Sequence, residues 1–199
     1  MSQALQTSGD LMTVAEFLAW DSGDGRVWQL VDGVPTAMAP PSRRHGAIQA
    51  EMAALIRNHL TEIGSPCSVI VTPGIVTPGI VTPVAADNNM RIPDLAVTCA
   101  PVADDAAVPV PDPVLIVEVL SPGNQRETWI NVWTHTLIPS VQEVLVLHSA
   151  LVRADVLRRG PDGAWPTATT PVTAGSLVLD SIGFGVPVAD IYRTTALAQ

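Results

Sequence analysis

The chain contains no lysine. Its ten basic residues are all arginines, set against nineteen acids for a formal net charge of -9. A protein that wraps long stretches of phosphate backbone presents a basic surface, so composition argues against broad electrostatic capture of nucleic acid. Any phosphate contact has to come from a local arginine cluster. Cysteine is equally scarce: Cys67 and Cys99 make no disulfide framework. No basic segment followed by an apolar stretch and a cleavage site opens the chain, so export is not expected. Proline breaks every apolar run well before the roughly 18 residues of a membrane span, so no membrane partner is expected. The expected location is therefore cytoplasmic, with both cysteines reduced.

What is present suits a filled core. Hydrophobic residues make up 47% of the 199 and charged residues only 15%, which excludes a largely disordered chain and fits one domain. We read residues 1–11 as a leader, 12–192 as the domain and 193–199 as a tail. Thr13 with Glu16 has the capping-box spacing for a short helix that buries Val14, Phe17 and Leu18. Val27–Val31 and Val34–Ala39 read as a hairpin closed by Asp32-Gly33. A long helix starts at Ser42 and runs to about Ile63, with Ile48, Met52, Leu55, Ile56, Leu60 and Ile63 in one stripe and Gly64 as its stop. Ile92–Cys99, Val114–Leu120, Val141–His148 and Leu151–Arg159 read as strands. Asn124 and Glu127 cap a second helix reaching Leu137, and short strands near Leu177 and a helical turn near Ala189 close the chain. Strands and helices alternate without a glycine-rich phosphate loop, so the class is α/β but neither a P-loop nor a dinucleotide fold.

Ile-Val-Thr-Pro occurs three times, at Ile70–Pro73, Ile75–Pro78 and Ile80–Pro83. Proline every fifth residue removes ladder donors. The expectation is one copy as strand and the others as a looped insertion within 70–83, a short duplication of the kind that loops absorb.

Two acids stand out chemically. Glu118 interrupts the run Leu-Ile-Val-Glu-Val-Leu, where a carboxylate is costly to bury unless it is paired or holds a cation. Asp94 opens another apolar strand directly after Pro93. Neighbouring strands with one acid each can bring two carboxylates to one point, where a hard divalent ion relieves their repulsion. The alternative is that each bonds a helix N-terminus or an arginine.

Pro93-Asp94 followed by Glu118-Val119 on the next strand resembles the Pro-Asp…(Asp/Glu)-X-Lys signature of the restriction-endonuclease-like superfamily. More narrowly, the chain resembles the Uma-two family of restriction endonucleases. The series Met12–Phe17, Trp28–Gly33, Met38–Ser42 with His45, Arg91–Val97 and Val117–Pro122 carries that likeness across about residues 12 to 192. The resemblance implies an α/β restriction-endonuclease-like fold with a central mixed β-sheet flanked by helices. It also implies a metal-dependent endonuclease acting on DNA phosphodiester bonds. Asp94, Glu118 and the backbone carbonyl of Val119 would hold Mg²⁺ (or Mn²⁺), which would polarise the phosphate and activate water. His45 matches a family position and would contact phosphate; equally, it reads as a helix-cap histidine.

The chain departs from the family at two places. Position 120 is Leu where a lysine closely follows the acid, and Asn131 occupies the helical position that would otherwise supply it. Asn131 can orient water in the catalytic set but brings no positive charge. Glu127, Asn131 and His135 share one helical face, which alternatively is simply solvated. Gln29 stands where the family often has Glu. Arg43 and Arg44 beside His45 form the expected phosphate clamp, with Arg158-Arg159 next; either pair also reads as ordinary surface charge. These losses keep open a second reading, a catalytically degenerate homologue that serves as a nucleic-acid or protein binding module. A homodimer is expected only by analogy with nucleases that cut both strands.

Overall fold

The structure, a computed structural model, describes residues 11–78, 87–101 and 108–198. Thr13 caps α1 (Val14–Ala19), and both halves of its capping box with Glu16 form. Val14 and Phe17 are buried, but Leu18 is exposed because six residues make too short a helix to seat a third apolar side chain. β1 (Trp28–Val31) and β2 (Val34–Ala37) pair in register from Trp28↔Ala37 to Val31↔Val34. Asp32 and Gly33 both take positive φ, 47° and 79°, as a tight hairpin turn requires.

Ser42 caps α2 (Arg43–Glu62) by accepting from the His45 N–H, and Gly64 follows it with φ 62°. Ile48, Met52, Ile56 and Leu60 of its apolar stripe are buried. Ile63, at the C-cap, is 55% exposed, since the stripe has turned away from the sheet there.

The repeat region departs from expectation. Its first two copies both form strands, β3 (Ser68–Val71) and β4 (Ile75–Val76), and they run back along β5 (Met90–Arg91) and β6 (Leu95–Thr98). β3 pairs with β6 through Val71↔Leu95, and β4 with β5 through Ile75↔Arg91. The second copy is held as strand because Ile75 is 1% exposed. Among the described residues of the repeat, Pro73 stands where this long hairpin passes from one sheet to the other. The third copy, Ile80–Pro83, lies outside the described residues.

β7 (Pro113–Leu120), α3 (Gln125–His135) and β8 (Glu143–His148) make a parallel crossover; β9 (Ala154–Arg158) and β10 (Thr170–Val172) extend the sheet antiparallel. The six-stranded order is β10-β9-β8-β7-β6-β3, and a four-stranded sheet runs β2-β1-β5-β4. β11 (Ser176–Leu179) and β12 (Phe184–Pro187) form a separate hairpin, followed by a short helical turn over Val188–Tyr192. Val117 and Val119 share a core with Ile48, Met52 and Ile56 of α2. Ile116 and Leu120 pack instead with Val132 of α3. The mixed sheet between helices is the α/β architecture expected.

Three further local expectations fail. The Asn124 side chain does not cap α3; its Oδ1 accepts from the Ser121 N–H, holding the turn that leaves β7, and α3 ends at His135, short of Leu137. Cys67 and Cys99 are joined in a disulfide rather than reduced. The cause is register: Ser68 faces Thr98 across β3 and β6, so the next residues outward are the two cysteines. No helix among the described residues is long and apolar enough to cross a membrane.

Candidate metal centre

β6 and β7 are antiparallel with Leu95 opposite Val117, so one further step brings Asp94 level with Glu118. Asp94 sits at the bend just before β6, where its carboxylate is spoken for on both oxygens. The Val119 N–H donates to Oδ2 at 2.6 Å, and His45 Nε2 lies 2.6 Å from Oδ1. His45 comes from the first turn of α2, and its Nδ1 is 3.2 Å from Ser121 Oγ. Gln49, one turn further along α2, donates to the Asp94 carbonyl at 2.9 Å. Thr72 donates its N–H to the same carbonyl, so the break in the repeat hairpin closes directly on Asp94.

Glu118 is 6% exposed in the middle of β7. Its Oε1 is 2.9 Å from Nε2 of His135, a residue 0% exposed. Burial pushes the Glu118 carboxyl well above its ordinary value and the charge of Asp94 raises it further, while Arg91 pulls the other way. Burial holds the His135 imidazole down to about 3, with the Arg91 charge adding to the effect. At neutral pH His135 is therefore an uncharged hydrogen-bonding partner, and a neutral Glu118 is what desolvation favours. Neither acid forms an ion pair with an arginine among the described residues; the one partner within ion-pair distance is a histidine in each case. Of the alternatives the sequence left open, a helix N-terminus or an arginine for each acid, no arginine pairing forms among the described residues; each acid meets a histidine carried on a helix, for Asp94 in the first turn of α2.

The remaining expected site residues fare differently. Asn131 is half-buried on α3, and no side-chain hydrogen bond among the described residues reaches it, whereas His135 on the same face goes fully into the core. Glu127 is exposed. Arg43 is exposed beside the α2 N-terminus. Arg44 is exposed too but donates to the Ser149 carbonyl at 3.1 Å, tying the start of α2 to the end of β8. Arg158 and Arg159 are committed to structure and form no clamp. Arg158 pairs with Glu143 and Asp180, and Arg159 donates to the carbonyls of Thr136, Ile138 and Pro139.

Two hard oxygen donors level with one another suit a divalent ion, and Mg²⁺ commonly uses one or two carboxylates and fills its octahedron with water and substrate oxygens. No group of three or more His, Cys, Asp or Glu side chains among the described residues is placed to hold a metal. An ion held here would be bound by the two acids alone and would displace any proton on Glu118.

Residues 14–189 match the Uma2 family, described as "putative restriction endonuclease". The chain belongs to that family. A Synechocystis protein, slr1290, described as uncharacterized, is 29% identical to it over 184 residues, 91% of each chain. Among solved structures, one described as a putative nuclease belonging to DUF820, from Anabaena variabilis, superposes with a TM-score of 0.72. It covers 92% of this chain and 98% of its own at 16% identity, a likeness of fold. The family resemblance singled out both acids and His45, and the structure places His45 against Asp94 and Asp94 level with Glu118. The resemblance gave His135 no role, and named Arg91 only as part of a motif. The apolar strand around Glu118 signalled that something had to satisfy it, but only the βα crossover reveals which residue does.

Proposed function

We propose that this Uma2 member hydrolyses DNA phosphodiester bonds at a divalent-cation site formed by Asp94 and Glu118. The observation that carries the reading is the levelling of these two acids on adjacent strands, with Glu118 driven toward its neutral form partly by the Asp94 charge. Bound there, Mg²⁺ or Mn²⁺ would offset charge on the phosphate and make water a better nucleophile. His45 orients Asp94 from α2, and the Val119 N–H fixes its second oxygen. His135 holds Glu118 from α3. The absence of lysine removes the usual cation of such a site, so turnover is expected to be slow.

One observation favours a second reading. Both Asp94 oxygens are already hydrogen-bonded and Glu118 has a neutral partner, so the site can persist without metal as the core of a binding module. Calorimetric titration with Mn²⁺ separates the two: binding by the wild type that disappears in Asp94→Ala supports the metal site. Mn²⁺-dependent nicking of supercoiled plasmid, lost in Glu118→Gln, then supports hydrolysis. A wild type that takes up no Mn²⁺ leaves the module.

A further inference from the structure

Among the described residues, Arg91 is a buried positive charge that no ion pair neutralises. Arg91 is 2% exposed in β5, its Nε has no hydrogen-bond partner, and none of the ion pairs among the described residues includes it. A buried guanidinium ordinarily meets a carboxylate or several carbonyls, because removing it from water is otherwise costly. Here Asp32 and Glu118 exert their field on it from beyond ion-pair distance. Its neighbour in the sheet repeats the pattern. β1 and β5 are antiparallel with Leu30 opposite Met90, which brings Gln29 level with Arg91, and the Gln29 Oε1 is likewise buried without a partner. Being neutral, Gln29 leaves the charge on Arg91 intact; a glutamate there would cancel it.

We propose that Arg91 is the phosphate-binding cation of this site, donating to a non-bridging oxygen of a DNA phosphodiester held at Asp94 and Glu118. A guanidinium stays charged when buried and offers a planar set of donors matched to phosphate oxygens. It supplies, from the strand before Asp94, the positive charge that a lysine-free chain must find elsewhere, and Gln29 keeps that charge available. The assignment rests on the nuclease reading, so its test separates the two.

The probe is a short fluorescein-labelled DNA duplex in Ca²⁺, read by anisotropy, alongside Mn²⁺ titration without DNA. Arg91→Met, which replaces a buried charge by an apolar chain of similar length, should weaken duplex binding by roughly ten- to a hundredfold while Mn²⁺ binding persists. Arg91→Lys should fall between, and Gln29→Glu should weaken the duplex by drawing Arg91 into an ion pair. If Arg91→Met does not fold, the Lys and Glu variants decide. Duplex affinity unchanged in these variants overturns the assignment, as does a wild type that binds Mn²⁺ but no duplex. Failure of the wild type to bind either removes the nuclease reading and the assignment with it.

Discussion

Pro73 and Pro93 stand level with each other across the repeat hairpin, midway between the pairs Val71↔Leu95 and Ile75↔Arg91. Neither can donate to a ladder, so the two strands come apart together at that point and resume in another sheet. The gap leaves the Asp94 carbonyl to be claimed by the N–H of Thr72 and the side chain of Gln49. One proline break therefore both divides the two sheets and frees Asp94 from the strand to meet His45. The repeat, read in isolation as surface decoration, contributes through its first copy to the scaffold of the candidate site.

Gly33 carries the turn of the first hairpin at φ 79°, and its carbonyl accepts from the Met12 N–H at 2.8 Å. A Cβ at this position would come within 2.5 Å of the Leu11 Cβ and 3.1 Å of its Cα. Gly33→Ala should therefore cost about 1–3 kcal/mol from left-handed strain and displaced chain. Urea denaturation checks it, and an unchanged midpoint would mean that the 11–13 segment does not dock as described.

Local chemistry announced itself in the sequence, and pairing between distant strands did not. The Thr13–Glu16 and Ser42 caps, the Asp32-Gly33 turn and the stripe Ile48–Met52–Ile56–Leu60 all depend on residues a few positions apart, and each is found where expected. Glu118 was conspicuous because a lone acid in an apolar strand violates the pattern around it. Register, by contrast, decides that Cys67 meets Cys99 and that Gln29 lies level with Arg91, and nothing within either segment encodes it. The same holds for His135. Its helix carries no stripe strong enough to say which face is buried, so only the packing of α3 on β7 sends it to Glu118.

Arg159 closes the C-terminus of α3 rather than binding phosphate. It donates to three carbonyls, Thr136 at 3.3 Å, Ile138 at 3.0 Å and Pro139 at 2.7 Å, and lies 5.1 Å from the Trp165 ring. Arg159→Met should lower stability by about 1–3 kcal/mol, because three charge-assisted bonds to the carbonyls that end α3 are lost. Differential scanning fluorimetry should show the drop while Mn²⁺ affinity stays at the wild-type value. A loss of metal binding without a loss of stability would return Arg159 to the site.

Asn131 lies half-buried on the helical face that delivers His135, with no side-chain bond to give up among the described residues. Asn131→Lys should fold and should raise Mn²⁺-dependent plasmid nicking by roughly ten- to a hundredfold or more, the scale on which a positioned acid–base group acts. An unchanged rate in a folded, metal-binding variant would show that the site is not simply one lysine short.

The pH dependence of stability tests the charge state of Glu118 directly. His135 is held down to about 3 from 6.5, so the unfolded chain binds its proton first, and this group destabilises the fold as pH falls below about 6.5. Glu118 is raised above 4.5, so the folded chain keeps a proton that the unfolded chain releases, and this group destabilises the fold as pH rises above about 4.5. The two oppose each other as pH rises from about 4.5, and the His135 contribution ends near 6.5. In chelator, the His135 contribution is common to both proteins, so Glu118→Gln should gain on the wild type as pH rises above about 4.5, by up to about 1.4 kcal/mol per unit until the native carboxyl ionises. Mn²⁺ should reverse the trend in the wild type, since a cation favours the ionised acid, and leave the glutamine variant unmoved. Urea midpoints measured across this range supply the check. Parallel curves for the two proteins would show Glu118 already charged in the metal-free fold, its burial outweighed by Arg91.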